Sequence, residues 1–282
     1  MSVRVVTDSG CDLPPALCDE LGIEVVPLTI RFGDEALVDR KDLTAVEFWA
    51  KCKSAPALPE TAAPSPGAFE EAYRRAQAGG ADGIVVITLS RKMSATIEAA
   101  DLAAENVAAD LPTRVVDSAN ASLGEGMAVL LAAQAAAAGG SLDEVEEAAR
   151  SAARRTKLIA TIDTLENLRR GGRIGGAQAL VGGLLSIKPL IAVSQATGGE
   201  VAEAGKQRTR ARALTALVDN VRAIGPVEAL GVMHAEAPDV DELLDRLDDI
   251  IPREDIVLAD VGAVIGTHVG PRCIGVVTVA RA

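Results

Sequence analysis

The chain has 282 residues, with 40 Asp and Glu against 28 Lys and Arg and a formal net charge of −12. That balance argues against nucleic acid as a partner, because tracking phosphates needs a basic surface, and at 2 % aromatic residues there are too few rings for base stacking. At 49 % hydrophobic and 24 % charged, the composition is that of a globular protein with one large or two modest domains.

No stretch reaches the roughly 18–20 apolar residues of a membrane helix. Residues 127–138 are short, Ala-rich and interrupted by Gln134, and read as a buried helix. The first residues run directly into a strand, with no apolar leader core behind them. The four cysteines, Cys11, Cys18, Cys52 and Cys273, show no close pairing. A core of this size needs no disulfide staples, so reduced thiols and a cytoplasmic location are expected.

Strands and helices alternate from the start. Residues 3–6 form a β-branched run ending in Thr7-Asp8-Ser9, and Asp12 followed by Leu13-Pro14-Pro15 predicts a helix start. Residues 23–30 are the next apolar run, with a turn at Phe32-Gly33-Asp34-Glu35. Thr44 and Glu47 match a capping box, so a helix carrying Phe48 and Trp49 begins there. Ser65-Pro66-Gly67 caps another. Residues 83–88 are apolar throughout, as in a strand buried on both faces. Ser94 or a near neighbour is expected to cap the helix running to residue 107. Residues 113–116 form a strand ending in Asp117-Ser118, the Ala-rich helix follows, and Ser141 with Glu144 opens one more. This alternation implies a parallel sheet with helices on both faces.

After about residue 155 the pattern changes. A strand at residues 158–162 precedes the glycine-rich Arg170-Gly171-Gly172-Arg173-Ile174-Gly175-Gly176. Residues 187–193 and 200–206 flank Thr197-Gly198-Gly199, a hairpin signal. Strands at residues 229–233 and 275–279 bracket a helix at 240–250. The fold class is therefore α/β: an N-terminal domain, 1–155, with a helix-flanked parallel sheet, and a C-terminal α/β domain, 156–282, with a mixed sheet.

The familiar chemistry-bearing motifs are absent. Gly124-Glu125-Gly126 lacks the third glycine of a dinucleotide loop, and there is no phosphate-loop lysine motif, zinc-protease helix or nucleophile elbow. Two histidines, His234 and His268, exclude a His-rich metal cluster, and no metal or cofactor is expected. What remains are hydroxyl-rich turns at strand ends. At the carboxyl ends of parallel strands such turns can hold a small anion such as a carboxylate, although Ser and Thr there are more often plain helix caps.

These turns resemble the DegV family of fatty-acid-binding proteins over essentially the whole chain. The resemblance is carried by Thr7-Asp8-Ser9-Gly10-Cys11-Asp12-Leu13-Pro14, by Pro27-Leu28 and Phe32-Gly33-Asp34, and by Thr61-Ala62-Ala63-Pro64-Ser65-Pro66. It continues in Leu89-Ser90-Arg91-Lys92-Met93-Ser94-Ala95-Thr96, Asp117-Ser118, Gly171-Gly172-Arg173-Ile174, Ile187-Lys188-Pro189 and His268-Val269-Gly270-Pro271. It implies a two-domain fold with a ligand tunnel between the domains, and a long-chain fatty acid such as palmitate held through its carboxylate by Thr61 and Ser94. His268, Arg173 and Arg208 are secondary candidates. It also implies a carrier that presents the acyl group to a separate fatty acid kinase, with no catalytic residue of its own and with a monomer expected. Ala62, Ala95 and Arg272 depart from the pattern, at places where a hydroxyl, a glycine and a glycine are usual. Two other readings stay open: a serine-dependent acyl hydrolase or transferase using Ser94 and His268, and a lipid-responsive regulatory module.

Overall fold

The computed structural model describes residues 2–180 and 187–281. Its first sheet is wholly parallel, in the order β2 (Glu24–Val26), β1 (Val3–Asp8), β6 (Gly83–Thr88), β7 (Thr113–Asp117). Alternate residues of the central strands serve opposite faces, as the pleat requires. Val6, Ile84 and Val86 pack under α3 (Pro66–Ala78) and α4 (Thr96–Val107), with Phe69 and Tyr73 filling that layer. Val5, Val85 and Ile87 face the other way, toward α1 (Pro15–Leu21), α5 (Leu123–Ala137) and α6 (Leu142–Arg155).

A second sheet is mixed, in the order β10 (Ala202–Gln207), β9 (Lys188–Ser194), β8 (Thr156–Thr161), β13 (Ile274–Ala280), β11 (Val227–His234), β12 (Val257–Asp260). Only the β11–β12 pair is parallel. Its outer face is covered by α8 (Arg210–Ile224) and α9 (Val240–Leu247), through Leu214, Leu217, Leu243 and Leu247. A third, antiparallel sheet, β4 (Glu35–Val38), β3 (Thr29–Phe32), β5 (Glu60–Ala62), stands beside α2 (Ala45–Ser54). The short helices α7 (Glu166–Arg170) and α10 (Ala263–Val269) complete the described chain.

Helix α5 joins the two large sheets. It is apolar nearly all round, and such a helix is stable only when buried on every side. It packs against β1 and β6 of one sheet and against β8, β11 and β13 of the other, so a single core runs from Val5 and Val85 through Met127 to Leu158 and Val277.

The capping boxes at Thr44 and Ser141 and the Ser65 cap form as the sequence predicts. Two helix starts differ. Asp12 does not cap α1, which begins at Pro15 behind Pro14; Asp12 is left-handed (φ 51°) and turns its carboxylate inward. Ser94 does not cap α4 either. The cap position is Ala95, which offers no side-chain acceptor, and the Ser94 hydroxyl is paired with Thr96 Oγ1 at 2.8 Å. The apolar run 23–30 is two strands rather than one, divided at Pro27-Leu28, where proline cannot donate to a ladder. The helix expected at 240–250 ends at Leu247.

Close approach of α5 to the first βα turn depends on Gly126. A Cβ there would stand 2.6 Å from the Cys11 carbonyl oxygen and 3.0 Å from Leu13 Cγ, and a backbone oxygen cannot rotate aside. Gly126→Ala is expected to lower the unfolding free energy by about 1–3 kcal/mol, seen as an earlier urea midpoint with unchanged slope. An unchanged midpoint refutes the close approach.

Candidate functional site

Where β5, the β6–α4 loop, α10 and the inner face of the mixed sheet meet, the packing leaves a cavity of about 190 Å³. Its walls are mainly aliphatic: Leu28 and Leu89 on one side, Leu158, Ile191 and Val193 from the mixed sheet, and Val264 from α10. Polar side chains gather at Thr61, Ser94, Arg173 and His268, all four half-buried and all lining this one cavity.

Each is placed by a different element. Thr61 lies in β5, paired with Ile30 of β3. Ser94 ends the loop from the fully buried β6, and its N–H donates to Ser90 O at 3.2 Å. His268 sits in the last turn of α10. Arg173 follows α7, and its guanidinium is tied to two backbone carbonyls, Nε donating to Met93 O at 3.0 Å and Nη1 to Gly171 O at 2.6 Å. Arg173 thereby bridges the Ser94 loop to the glycine-rich loop.

Thr61 Oγ1 and His268 Nε2 are 3.0 Å apart. Burial, reinforced by the neighbouring Arg173 charge, pushes the His268 imidazole down to about 4, so the ring is neutral at pH 7. His268 Nδ1 is buried without a partner and faces Gly171, where a Cβ would intrude to 2.4 Å. With its proton on Nε2, His268 donates to Thr61 and leaves the threonine hydroxyl proton free to donate into the cavity. Ser94 Oγ, released from capping, is likewise available beside Thr96. Thr61 and Ser94 thus each bring a neutral hydroxyl to the cavity that both line.

Arg208 is exposed between β10 and α8 and is not among the residues lining the cavity. The pair that a serine nucleophile requires is not made: His268 Nε2 is engaged by Thr61, and Nδ1 has no carboxylate to orient it. Among the described residues, no three His, Cys, Asp or Glu side chains converge as metal ligands, and no helix is long and apolar enough to cross a membrane.

Sequence reasoning missed Ser122 and Met233, which line the cavity, and the burial of Glu125, while Asp8 at its strand end reads, with Ser9 and Asp117, as a loop-stabilising cluster. Asp8 accepts from Gly10 N–H and from Leu89 N–H, at 2.8 and 3.0 Å, fixing the strand end that carries the Ser90–Ser94 loop. Glu125, buried in α5, accepts from the Thr7 hydroxyl at 2.9 Å. Burial raises Asp8 to about 6 and Asp12 to about 7, and pushes Glu125 well above the carboxylate range. Hydrophilic spacing in an Ala-rich helix gives no sign of an inward Glu.

Comparisons with known proteins bear on the family and the fold. The DegV family model matches residues 2–281. The chain belongs to the DegV family. It is 42 % identical over 284 residues to a DegV domain-containing protein of Streptomyces coelicolor, covering 99 % of each chain. A DegV-family protein from Thermus thermophilus, described as binding fatty acid, superposes with a TM-score of 0.90 at 34 % identity over 100 % of both chains. A DegV lipid-binding protein from Thermotoga maritima gives 0.86 at 27 % identity, again over 100 % of both.

The buried acids set a pH dependence of stability. Each binds its proton more tightly folded than unfolded, so its contribution is present below about pH 4 and is lost as pH rises through the raised value. Between pH 5 and pH 8 the unfolding free energy is expected to fall by about 2 kcal/mol or more, measured by urea titration. Glu125→Gln, neutral and of equal size, is expected to flatten part of that slope. A free energy that instead rises across this interval contradicts the buried acids.

Proposed function

We propose that this protein binds one long-chain fatty acid, such as palmitate, with its carboxylate held by Thr61 and Ser94. The alkyl tail lies in the passage between the units 1–155 and 156–282. The observation that carries this reading is that Thr61 and Ser94 line one and the same cavity, whose walls are otherwise mainly aliphatic. The fatty-acid and lipid binding described for the Thermus and Thermotoga relatives supports it.

At about 0.8 kcal/mol per buried methylene, a palmitate tail offers roughly 12 kcal/mol as an upper bound. Ordering the chain and stripping water from the carboxylate subtract from that. A carboxylate brought out of water needs hydrogen bonds to replace its hydration, and the two hydroxyls supply them. His268 supports Thr61 through Nε2, and Arg173 keeps the Ser94 loop in place.

In this reading the protein is a carrier working in the cytoplasm as a monomer, and it presents the acyl carboxylate to a fatty acid kinase without catalysing a step itself. The half-buried carboxylate end suits that role, since a partner enzyme must reach the acid. The engagement of His268 by Thr61 rather than Ser94 favours the carrier over a hydrolase.

Native mass spectrometry of protein purified from cells is expected to show an added mass matching a long-chain fatty acid. Thr61→Ala and Ser94→Ala are each expected to weaken palmitate binding about tenfold, read by displacement of a fluorescent fatty acid. An empty protein with no affinity for palmitate, or variants that bind it as tightly as wild type, would overturn the assignment.

A further inference from the structure

One buried carboxylate stands outside the ligand cavity yet ties two of its walls together. Asp12 is 3 % exposed and does not line the cavity. Its Oδ1 accepts from the Gly262 N–H at 3.0 Å, and its Oδ2 accepts from the Ser122 hydroxyl at 2.6 Å. Gly262 is the residue from which α10 starts, and α10 contributes Val264, Ile265, His268 and Val269 to the cavity wall. Ser122 immediately precedes α5 and is itself in that wall. Asp12 thus grips the cavity from both sides, although residues 12 and 262 are 250 positions apart.

We infer that Asp12 is a proton-sensitive joint that couples ligand retention to pH, clamping α10 against α5 when its carboxyl is neutral and letting α10 lift when it is ionised. This rests on reading the cavity as the fatty-acid site.

The wiring suits both protonation states. Ser122 Oγ lies 2.6 Å from Asp12 Oδ2 and 3.0 Å from Met233 Sδ. With Asp12 neutral, its O–H donates to Ser122 Oγ and the serine turns its own proton toward the Met233 thioether. With Asp12 ionised, the serine donates to the carboxylate instead. Lifting α10 breaks the Gly262 bond and admits water to the carboxylate. The ionised form gains most from that water, because burial outweighs its two hydrogen bonds and holds the group near 7.

Linkage then fixes the sign. A carboxyl that ionises near 7 when closed and in its ordinary range near 4 when hydrated favours the open state as pH rises. Opening becomes about tenfold easier between pH 6 and pH 8. The surrounding groups are Arg40 and Asp39 from the segment before α2, Asp8 and Cys11 from the first turn, Glu125 from α5 and Cys273 before β13. Arg40 stays charged and the buried thiols stay protonated throughout the interval, and burial pushes Glu125 upward as well. His268, depressed to about 4, stays neutral. Asp8, raised to about 6, is the competing titrant, because its Oδ2 holds the Leu89 N–H.

Two readouts test the joint: the release rate of bound palmitate to an albumin acceptor, and amide hydrogen exchange of residues 263–270 in ligand-free protein, corrected for intrinsic rates. Wild type is expected to release palmitate about tenfold faster at pH 8 than at pH 6, with exchange in 263–270 rising in parallel. Asp12→Asn keeps both bonds without a titratable proton, so it is expected to show no pH slope and to release at pH 8 more slowly than wild type does even at pH 6. Asp12→Ala lacks both bonds and is expected to release fast at either pH. An aspartate that only supported the fold would give looser binding in Asp12→Asn, not tighter. A wild-type pH slope that survives in Asp12→Asn, or that disappears in Asp8→Asn instead, overturns the inference. If palmitate does not bind at all, the fatty-acid reading fails, and exchange in the ligand-free protein still decides the joint: a rate in 263–270 that ignores both pH and Asp12→Asn refutes it.

Discussion

Burial of α5 on every side governs much else in this protein. A helix with almost no polar face cannot rest on one sheet with its back to water, so residues 123–137 draw the parallel sheet and the mixed sheet onto opposite flanks. The two sheets are built on different plans, one all parallel and one chiefly antiparallel. The space left near the start of α5 is finished by pieces that belong to neither large sheet, β5 and the short helix α10. The cavity is the consequence, walled by aliphatic residues because it is continuous with the core.

The polar end follows a different logic. A net charge of −12 gives no long-range attraction for an anionic lipid, so on the proposed reading affinity comes from the tail and from local donors. Those donors are neutral. Burial keeps His268 uncharged, and the cation at hand, Arg173, points its Nε and Nη1 at backbone carbonyls. Hydroxyl donors hold a carboxylate less strongly than a buried ion pair would, which suits the proposed carrier, whose ligand would be handed on.

Local signals made the elements legible. Capping boxes at Thr44 and Ser141 and the Thr197-Gly198-Gly199 turn act within a few residues, and they formed as read. The site was legible only through resemblance, because its geometry is assembled over long separations. Thr61 and His268 are 207 positions apart, and the three-residue β5 exists because β3 offers it an edge. Asp12 shows how local reading fails. Asp before a proline pair is a sound cap signal, yet two distant donors, Ser122 and Gly262, compete for the carboxylate and win. Glu125 gave no local signal of its burial, since a charge on an Ala-rich helix normally marks its wet face.

The three departures from the family pattern can be weighed on the same terms. Ala62 is exposed, so a hydroxyl there would meet water rather than the cavity. Ala95 has φ −81°, a conformation any residue adopts, so the glycine usual at this place is not needed for backbone reasons. Arg272 differs, because its φ of 63° is left-handed, where a side chain costs about 1 kcal/mol that glycine avoids. Its ion pair with Asp163, at 3.3 Å on a half-exposed side chain, offsets little of that. The backbone does more: Arg272 N–H donates to Ala235 O at 2.6 Å, and Ala235 N–H to Cys273 O at 2.8 Å, extending the β11–β13 ladder past its last paired residues. That extension fixes Pro271 and Gly270 behind α10, and Gly270 N–H closes the helix on Gly266 O at 2.9 Å. The strained arginine is therefore tolerated because the ladder on which His268 depends holds it in place.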